Sequence, residues 1–282
     1  MKNTRNQPVN IPVEELRPFE GHPFKVKDDE EMNALIESVQ TQGILMPLIV
    51  RPIENTAEYE VISGHRRLHA AQKAGILEVP ALIYALDRDA AAIAVVDSNL
   101  HREHILPSEK AFAYKLKYEA MKHQGTSCQL GTKLRTDEQI AEKADDSARQ
   151  IQRYIRLTHL IPELLTLIDE NKMALSVGVE LSFLDDQSQR DVLEQCEIND
   201  CTPSYAQAVR MRKAHNDSAL TADVIRSILS EEKANQRETV KIPTEKLRKF
   251  APNADPRQLE DFVLKACEHY RKYLRRQREN ER

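Results

Sequence analysis

The chain has no tryptophan, and aromatic residues make up only 5% of its 282 positions. Glycine is scarce, at 7 residues, while 30% of positions are charged. Sandwiches and barrels draw heavily on aromatics and turn glycines, so this composition argues for a helix-rich protein. No apolar run approaches the length of a membrane span. The start, Met1-Lys2-Asn3-Thr4-Arg5-Asn6, lacks the apolar stretch of a signal peptide, which points to a cytoplasmic protein with no membrane partner. The 4 cysteines (Cys128, Cys196, Cys201 and Cys267) are scattered, and no pair has C-x-x-C spacing. Ordinary reduced thiols fit that pattern better than zinc or a disulfide frame. The 9 histidines form no carboxylate-bearing ligand set; His101 and His104 are close but read as surface residues. No P-loop or nucleophile elbow is present.

What is present centres on Glu60-Val61-Ile62-Ser63-Gly64-His65-Arg66-Arg67-Leu68-His69-Ala70-Ala71. Tyr59 to Ser63 suits a short strand, and Leu68, Ala71 and Ala74 recur at helical spacing up to a capping Gly75. Gly64 permits a tight turn between them. Arg66 and Arg67 then fall in the first helical turn, where free N–H groups and the positive end of the macrodipole already gather. Two cations there oppose the dipole. Either a bound anion such as phosphate resolves the conflict, or the two arginines pair with surface carboxylates; the motif alone leaves both open.

Around it, the chain predicts a mobile residues 1–10, a mixed α/β domain over 11–105, a helical domain over 106–229 and a linker with a basic helical unit over 230–282. The expected fold class is therefore α+β. Asp28 to Gln42 predicts a helix ended by Gly43, and the acidic run Asp28 to Glu31 favours its N-terminus. Ile44 to Arg51 is strand-like with Pro47 inside, which predicts an edge strand or an irregular pairing. Val79 to Leu86 predicts a strand and Asp89 to Leu100 a helix. Pro107-Ser108-Glu109 opens a further helix, and Gln124 to Lys133 is a loop.

Thr136 to Ala144 opens on a capping residue and predicts a short amphipathic helix. Asp145-Asp146-Ser147 is a turn, and Ala148 to Leu157 a second helix. Ile151, Tyr154 and Ile155 face inward; Arg149, Gln150, Arg153 and Arg156 face outward with no acid among them. This is the pattern of a helix-turn-helix whose second helix enters the major groove. Arg and Gln can make bidentate contacts to guanine and adenine edges. An ordinary helical hairpin with a solvated basic face has the same pattern.

Four features in order resemble the ParB/RepB partition-protein family: His22-Pro23-Phe24-Lys25; Gly43-Ile44-Leu45-Met46-Pro47-Leu48-Ile49-Val50-Arg51; Gly64-His65-Arg66-Arg67-Leu68-His69-Ala70-Ala71; and Ser98-Asn99-Leu100-His101-Arg102-Glu103, followed by Leu106 to Ala111. The helix-turn-helix lies where that family carries one, and the resemblance spans roughly residues 11–185. It implies a ParB-like N-terminal domain that binds CTP with Mg²⁺ and closes on a partner protomer as a DNA clamp. By the same resemblance Gly64, His65, Arg66 and Arg67 belong to the triphosphate site, and Gly43 to Pro47 line the base and ribose. Asn99 assists the metal and Arg102 contacts phosphate. Ser147, Arg149, Gln150, Arg153 and Arg156 meet double-stranded DNA at a specific site. A homodimer, a nucleoid location and a ParA-type partner ATPase are implied as well. A plain helix-turn-helix transcription regulator, using the α/β domain only to dimerise, is the alternative.

Three positions depart from the family pattern. His65 and Ser98 stand where glutamates are usual, and Phe24 where an arginine is common. A carboxylate beside Asn99 is the natural hard ligand for Mg²⁺. Ser98 is a poorer one, although Asp97 is adjacent, so the resemblance implies binding of CTP and leaves open whether the protein is also a CTPase. From Lys241 onward basic residues outnumber acidic ones. That tail serves either solubility or nonspecific phosphate contact beside a dimerising helix pair.

Overall fold

A computed structural model of the chain describes residues 7–102, 104–124, 135–231, 247–251 and 256–280. The chain divides into two compact units, Met1–Glu231 and Glu232–Arg282. Gln124, the expected start of a loop, ends a helix; the rest of that loop and most of the expected linker lie outside the described residues, as does Cys128.

The first unit opens with a five-stranded mixed sheet. Its strands are β1 (Val9–Pro12), β2 (Leu16–Pro18), β3 (Leu48–Pro52), β4 (Tyr59–Ser63) and β5 (Glu78–Ile83), in the order β1-β5-β3-β4-β2. β3 pairs antiparallel with β4 and parallel with β5. It is therefore the central strand, which corrects the edge position expected from Pro47. Pro47 precedes the first paired residue, so its missing N–H takes no hydrogen bond from the ladder. The expected irregularity is there as a register shift between Ile49 and Val50.

Alternation along β3 and β4 serves two cores. Leu48, Val50 and Val61 pack with Met32, Val39, Leu68 and Ala71 of helices α1 (Glu30–Gln42) and α2 (His65–Ala74) on one face. Ile62, with Ile49 packed against it, meets Ala91, Ala92 and Val95 of α3 (Arg88–Asp97) on the other. The one charge inside the strand pair is neutralised in place. Glu60 is buried, and its carboxylate takes the Nε–H of Arg51, its partner across β3 and β4, at 2.6 Å.

α4 (Pro107–Gln124) joins this domain to a helical one. Its Ala120 packs with α3. Its Tyr114 joins Ile140 of α5 (Thr136–Ala141) and Ile151 of α6 (Ala148–Leu157) in a separate cluster. α7 (Pro162–Asp169), α8 (Leu175–Leu181), α9 (Asp186–Ile198), α10 (Tyr205–Asn216) and α11 (Ala222–Ser230) close over the largest core, around Leu157, Leu164, Leu181 and Met211. The second unit holds α12 (Pro256–Asn280), on which Phe262, Leu264, Tyr270 and Tyr273 are exposed. No helix among the described residues is long and apolar enough to cross a membrane.

Candidate functional site

The β4–α2 turn forms as its glycine predicts. Gly64 has φ 109°, a conformation that L side chains rarely adopt, and a Cβ there would meet Leu48 Cγ at 3.0 Å. The two arginines that follow divide the two sequence readings between them. Arg66 pairs with Glu31 at 3.2 Å and lies 3.9 Å from Asp29, as a surface pair would. Among the described residues Arg67 has no carboxylate partner at hydrogen-bonding distance; it donates to the carbonyls of Met46 and, at 3.1 Å, of Pro47. Burial holds its pKa below the ordinary guanidinium value. Arg67 thus ties the Gly43–Pro47 segment to the Gly64 turn, while Leu45 and Met46 keep their side chains exposed.

The acidic run does more than favour a helix. Asp29 caps α1 by accepting the N–H of Met32 at 2.9 Å, and Asp28 holds His69 at 2.6 Å. α1 and α2 are therefore clasped by the charges that the sequence pattern assigns to one helix end.

An open cleft of about 980 Å³ lies beside the turn, and Lys25, Lys27, Arg66 and Arg102 line it. Loss of solvent, then the like charge of Arg66, holds Arg102 below the ordinary guanidinium range, against the pull of Glu109. Glu109 is the buried acid of this cleft. Its two oxygens accept the N–H groups of Lys25 at 2.8 Å and Leu106 at 3.1 Å. It pins the His22–Lys25 segment to the first turn of α4, a role with no local signal because the two partners lie 84 residues apart.

Behind Arg102, the His22 and His65 rings lie with centroids 3.7 Å apart. His22 Nδ1–H donates to the carbonyl of Phe24 at 2.8 Å, and its buried Nε2 has no hydrogen-bond partner. His65 Nε2 accepts the N–H of Phe19 at 3.4 Å. Burial, then His22 and Arg102, push the pKa of His65 down to about 3; burial lowers that of His22 too, reinforced by Arg102 and opposed by the Phe24 carbonyl and Glu109. The neutral rings are the folded form. Between pH 6.5 and about 3 the unfolded chain takes up a proton that the folded His65 refuses, so its contribution to stability is full above pH 6.5 and is lost on acidification. Each such site contributes a slope of up to about 1.4 kcal/mol per pH unit. Urea unfolding of wild type and His65→Gln from pH 7 to 5 should give a visibly flatter profile for the variant; equal slopes would refute this account.

The helix-turn-helix is α5, the turn at Asp145-Asp146-Ser147, and α6. Thr136 is not the cap: the N-cap is Arg135, whose N–H is taken by Glu138 at 2.8 Å. Ser147 caps α6, accepting the N–H of Gln150 at 3.3 Å. Asp146 fixes the turn to α4, accepting from Lys110 Nζ at 2.9 Å and the Tyr114 hydroxyl at 2.7 Å. Arg149 is exposed, and Arg153 donates to Gln150 at 3.2 Å. Arg156 departs from its expected outward pose. It donates to Ser182 Oγ at 3.1 Å and its guanidinium carbon lies 4.0 Å from the centre of the Phe183 ring.

The model of the ParB N-terminal domain matches residues 1–100. The chromosome-partitioning protein Spo0J of Thermus thermophilus is 30% identical over 207 residues, covering 73% of this chain and 71% of that protein. The chain belongs to the ParB family of chromosome-partitioning proteins. It is also similar to two crystal structures of C-terminally truncated ParB from Caulobacter crescentus. The one complexed to the centromeric parS site has 21% identity and a TM-score of 0.42, covering 78% of this chain and 97% of that one. The one complexed with CTP-γ-S has 25% identity and a TM-score of 0.32, covering 62% and 91%.

The three departures from the ParB pattern have local explanations. Phe24 is a core residue, packed with Val96 and Ala113, so an arginine there has no room to be solvated. His65 exchanges a charge for the close, tilted ring contact with His22. Ser98 lies beside a buried Asn99 whose Nδ2 donates to the carbonyl of Val95 at 2.8 Å and to Ser98 Oγ at 3.1 Å. Asp97 does not replace the missing glutamate, because it is bonded to Lys117 at 2.5 Å. Among the described residues no group of three or more His, Cys, Asp or Glu side chains is placed to hold a metal ion. This surrounding does not fit a Mg²⁺ held by the protein itself.

Proposed function

We propose that this ParB-family chain is a dimeric, CTP-responsive DNA clamp that serves chromosome, plasmid or mobile-element partition on the nucleoid. What supports the reading is the gathering of Lys25, Lys27, Arg66 and Arg102 around one cleft beside the Gly64 turn and the N-terminus of α2, a cleft that Asp29, Glu31, Glu109 and Asp169 also line. A triphosphate displaces the Glu31 carboxylate from Arg66 and neutralises Arg102. Gly43 and Pro47 sit beside the Arg67 anchor, within reach of the nucleoside. α6 reads a specific DNA site through Arg149, Gln150 and Arg153, with Ser147 at its cap. The exposed apolar residues of α12 suit self-association into a homodimer, and a ParA-type ATPase is the partner that the family resemblance implies. No hydrolytic step is assigned: among the described residues no group of carboxylates is placed around Asn99 to hold a metal ion, and Asp97 is bonded to Lys117.

One observation favours the plain transcription regulator instead: Arg66 is already satisfied by Glu31 and needs no ligand. Titration calorimetry separates the two. CTP should bind in preference to ATP and GTP, and Arg66→Ala should weaken it at least tenfold, about 1.4 kcal/mol. A folded protein that binds its DNA and no nucleotide is the regulator.

A further inference from the structure

Arg149, Arg153 and Arg156 lie at i, i+4 and i+7 and form one stripe along α6. The stripe does not stop at the end of the helix. The Phe183 ring, just past α8, has two guanidiniums against it: the carbon of Arg156 is 4.0 Å from its centroid and that of Arg212, from α10, is 3.4 Å away. Ser182 locks Arg156 through its hydroxyl at 3.1 Å and its carbonyl at 2.5 Å. Glu180 locks Arg212 at 3.1 Å.

The charges around the ring do not balance. Glu180 is the one acid bonded to either guanidinium among the described residues. Burial, then Arg212, lowers the pKa of Arg156, and Arg156 with Lys115 adds to the burial that lowers His159. A structural staple needs one cation on the ring. A second, held rigidly against the first, costs repulsion that Glu180 offsets at Arg212 alone, and a further anion reaching both guanidiniums would relieve the rest. The anion must be reachable from α6, since Arg156 belongs to its stripe.

We propose that Arg156, Phe183 and Arg212 form a rigid two-point contact for the phosphates of a DNA strand, extending the α6 interface onto α10. The proposal rests on the reading of α6 as a DNA-recognition helix. The contact is blind to sequence: it fixes register on the backbone while Arg149, Gln150 and Arg153 address the bases. The stack holds both guanidiniums before DNA arrives, so little side-chain freedom is lost on binding.

The test is fluorescence anisotropy of the full chain on a parS duplex and on a scrambled duplex of equal length, across a KCl series. Each phosphate contact contributes about 0.9 to the slope of log K against log[salt]. Arg212→Gln should lower the slope by about one on both duplexes and leave the ratio of their affinities unchanged; adding Arg156→Gln should lower it by about one more. Glu180→Gln keeps the stack, removes the competing acid and should tighten binding to both duplexes, which serves if an arginine variant fails to fold. Unchanged slopes in folded variants, or no tightening in Glu180→Gln, overturn the proposal while leaving α6 as the reader. A folded wild type that binds neither duplex overturns both.

Discussion

Gly64→Ala should abolish nucleotide binding and lower the unfolding free energy by about 2–3 kcal/mol, the sum of a strained backbone and a steric clash. The backbone at Gly64 has φ 109°, beyond the left-handed well in which other residues are tolerated. The added methyl group lies 3.0 Å from Cγ of the buried Leu48 and 3.2 Å from Arg67 Nη2. Leu48 sits in the central strand and cannot retreat without opening the core. Arg67 is the more mobile neighbour, so it shifts, and the Met46 and Pro47 carbonyls lose their donor. Gly75→Ala is the control. Its φ is 71° with ψ 24°, the ordinary left-handed well, and nothing lies within 4 Å of the new methyl, so only backbone strain of about 1 kcal/mol is expected. Urea unfolding and CTP calorimetry on the two variants check this. Equal losses in both would mean that the close packing around Gly64 is irrelevant.

Asp97→Ala should cost about 2–3 kcal/mol of stability, whereas Lys117→Met should be neutral or stabilising. Lys117 is 2% exposed within the α3–α4 packing, and its ammonium reaches Asp97 Oδ1 at 2.5 Å. Removing the acid strands a buried cation, a change that costs roughly 3–5 kcal/mol for a fully buried pair. The expected value is lower because Asp97 is 42% exposed and water can reach the site. Methionine fills the lysine volume with an apolar stem and strands nothing. Thermal and urea unfolding of both single variants decide the matter. A Lys117→Met variant as damaged as Asp97→Ala would show that the pair contributes net stability rather than merely tolerating its own burial.

The sequence by itself determined the features whose causes are local. The Gly64 turn was legible because one glycine must supply a positive φ between a strand and a helix. The turn and second helix of the helix-turn-helix were legible because Ser147 is a capping residue and Ile151 begins an inward-facing set. Periodicity located α1 to α3 and β3 to β5, though not the three-residue β2, and the four motifs pointed to the family.

Only the tertiary structure decided matters that depend on residues far apart in the chain. Pro47 suggested an edge strand, yet β3 is central, because the proline falls just before the ladder begins and pairing partners are set by the whole sheet. Arg66 and Arg67 look equivalent in sequence. A carboxylate 35 positions away claims one and carbonyls about 20 positions away claim the other. His22 finds His65 and Glu109 finds Lys25 across similar or greater separations. Arg156, at the end of the basic stripe, is held against the Phe183 ring rather than in solvent. Periodicity and caps report the hydrogen bonds and the burial face of a single element. Which charges then meet depends on how elements dock, and that is settled by the packing of buried apolar surface, to which the charges adapt.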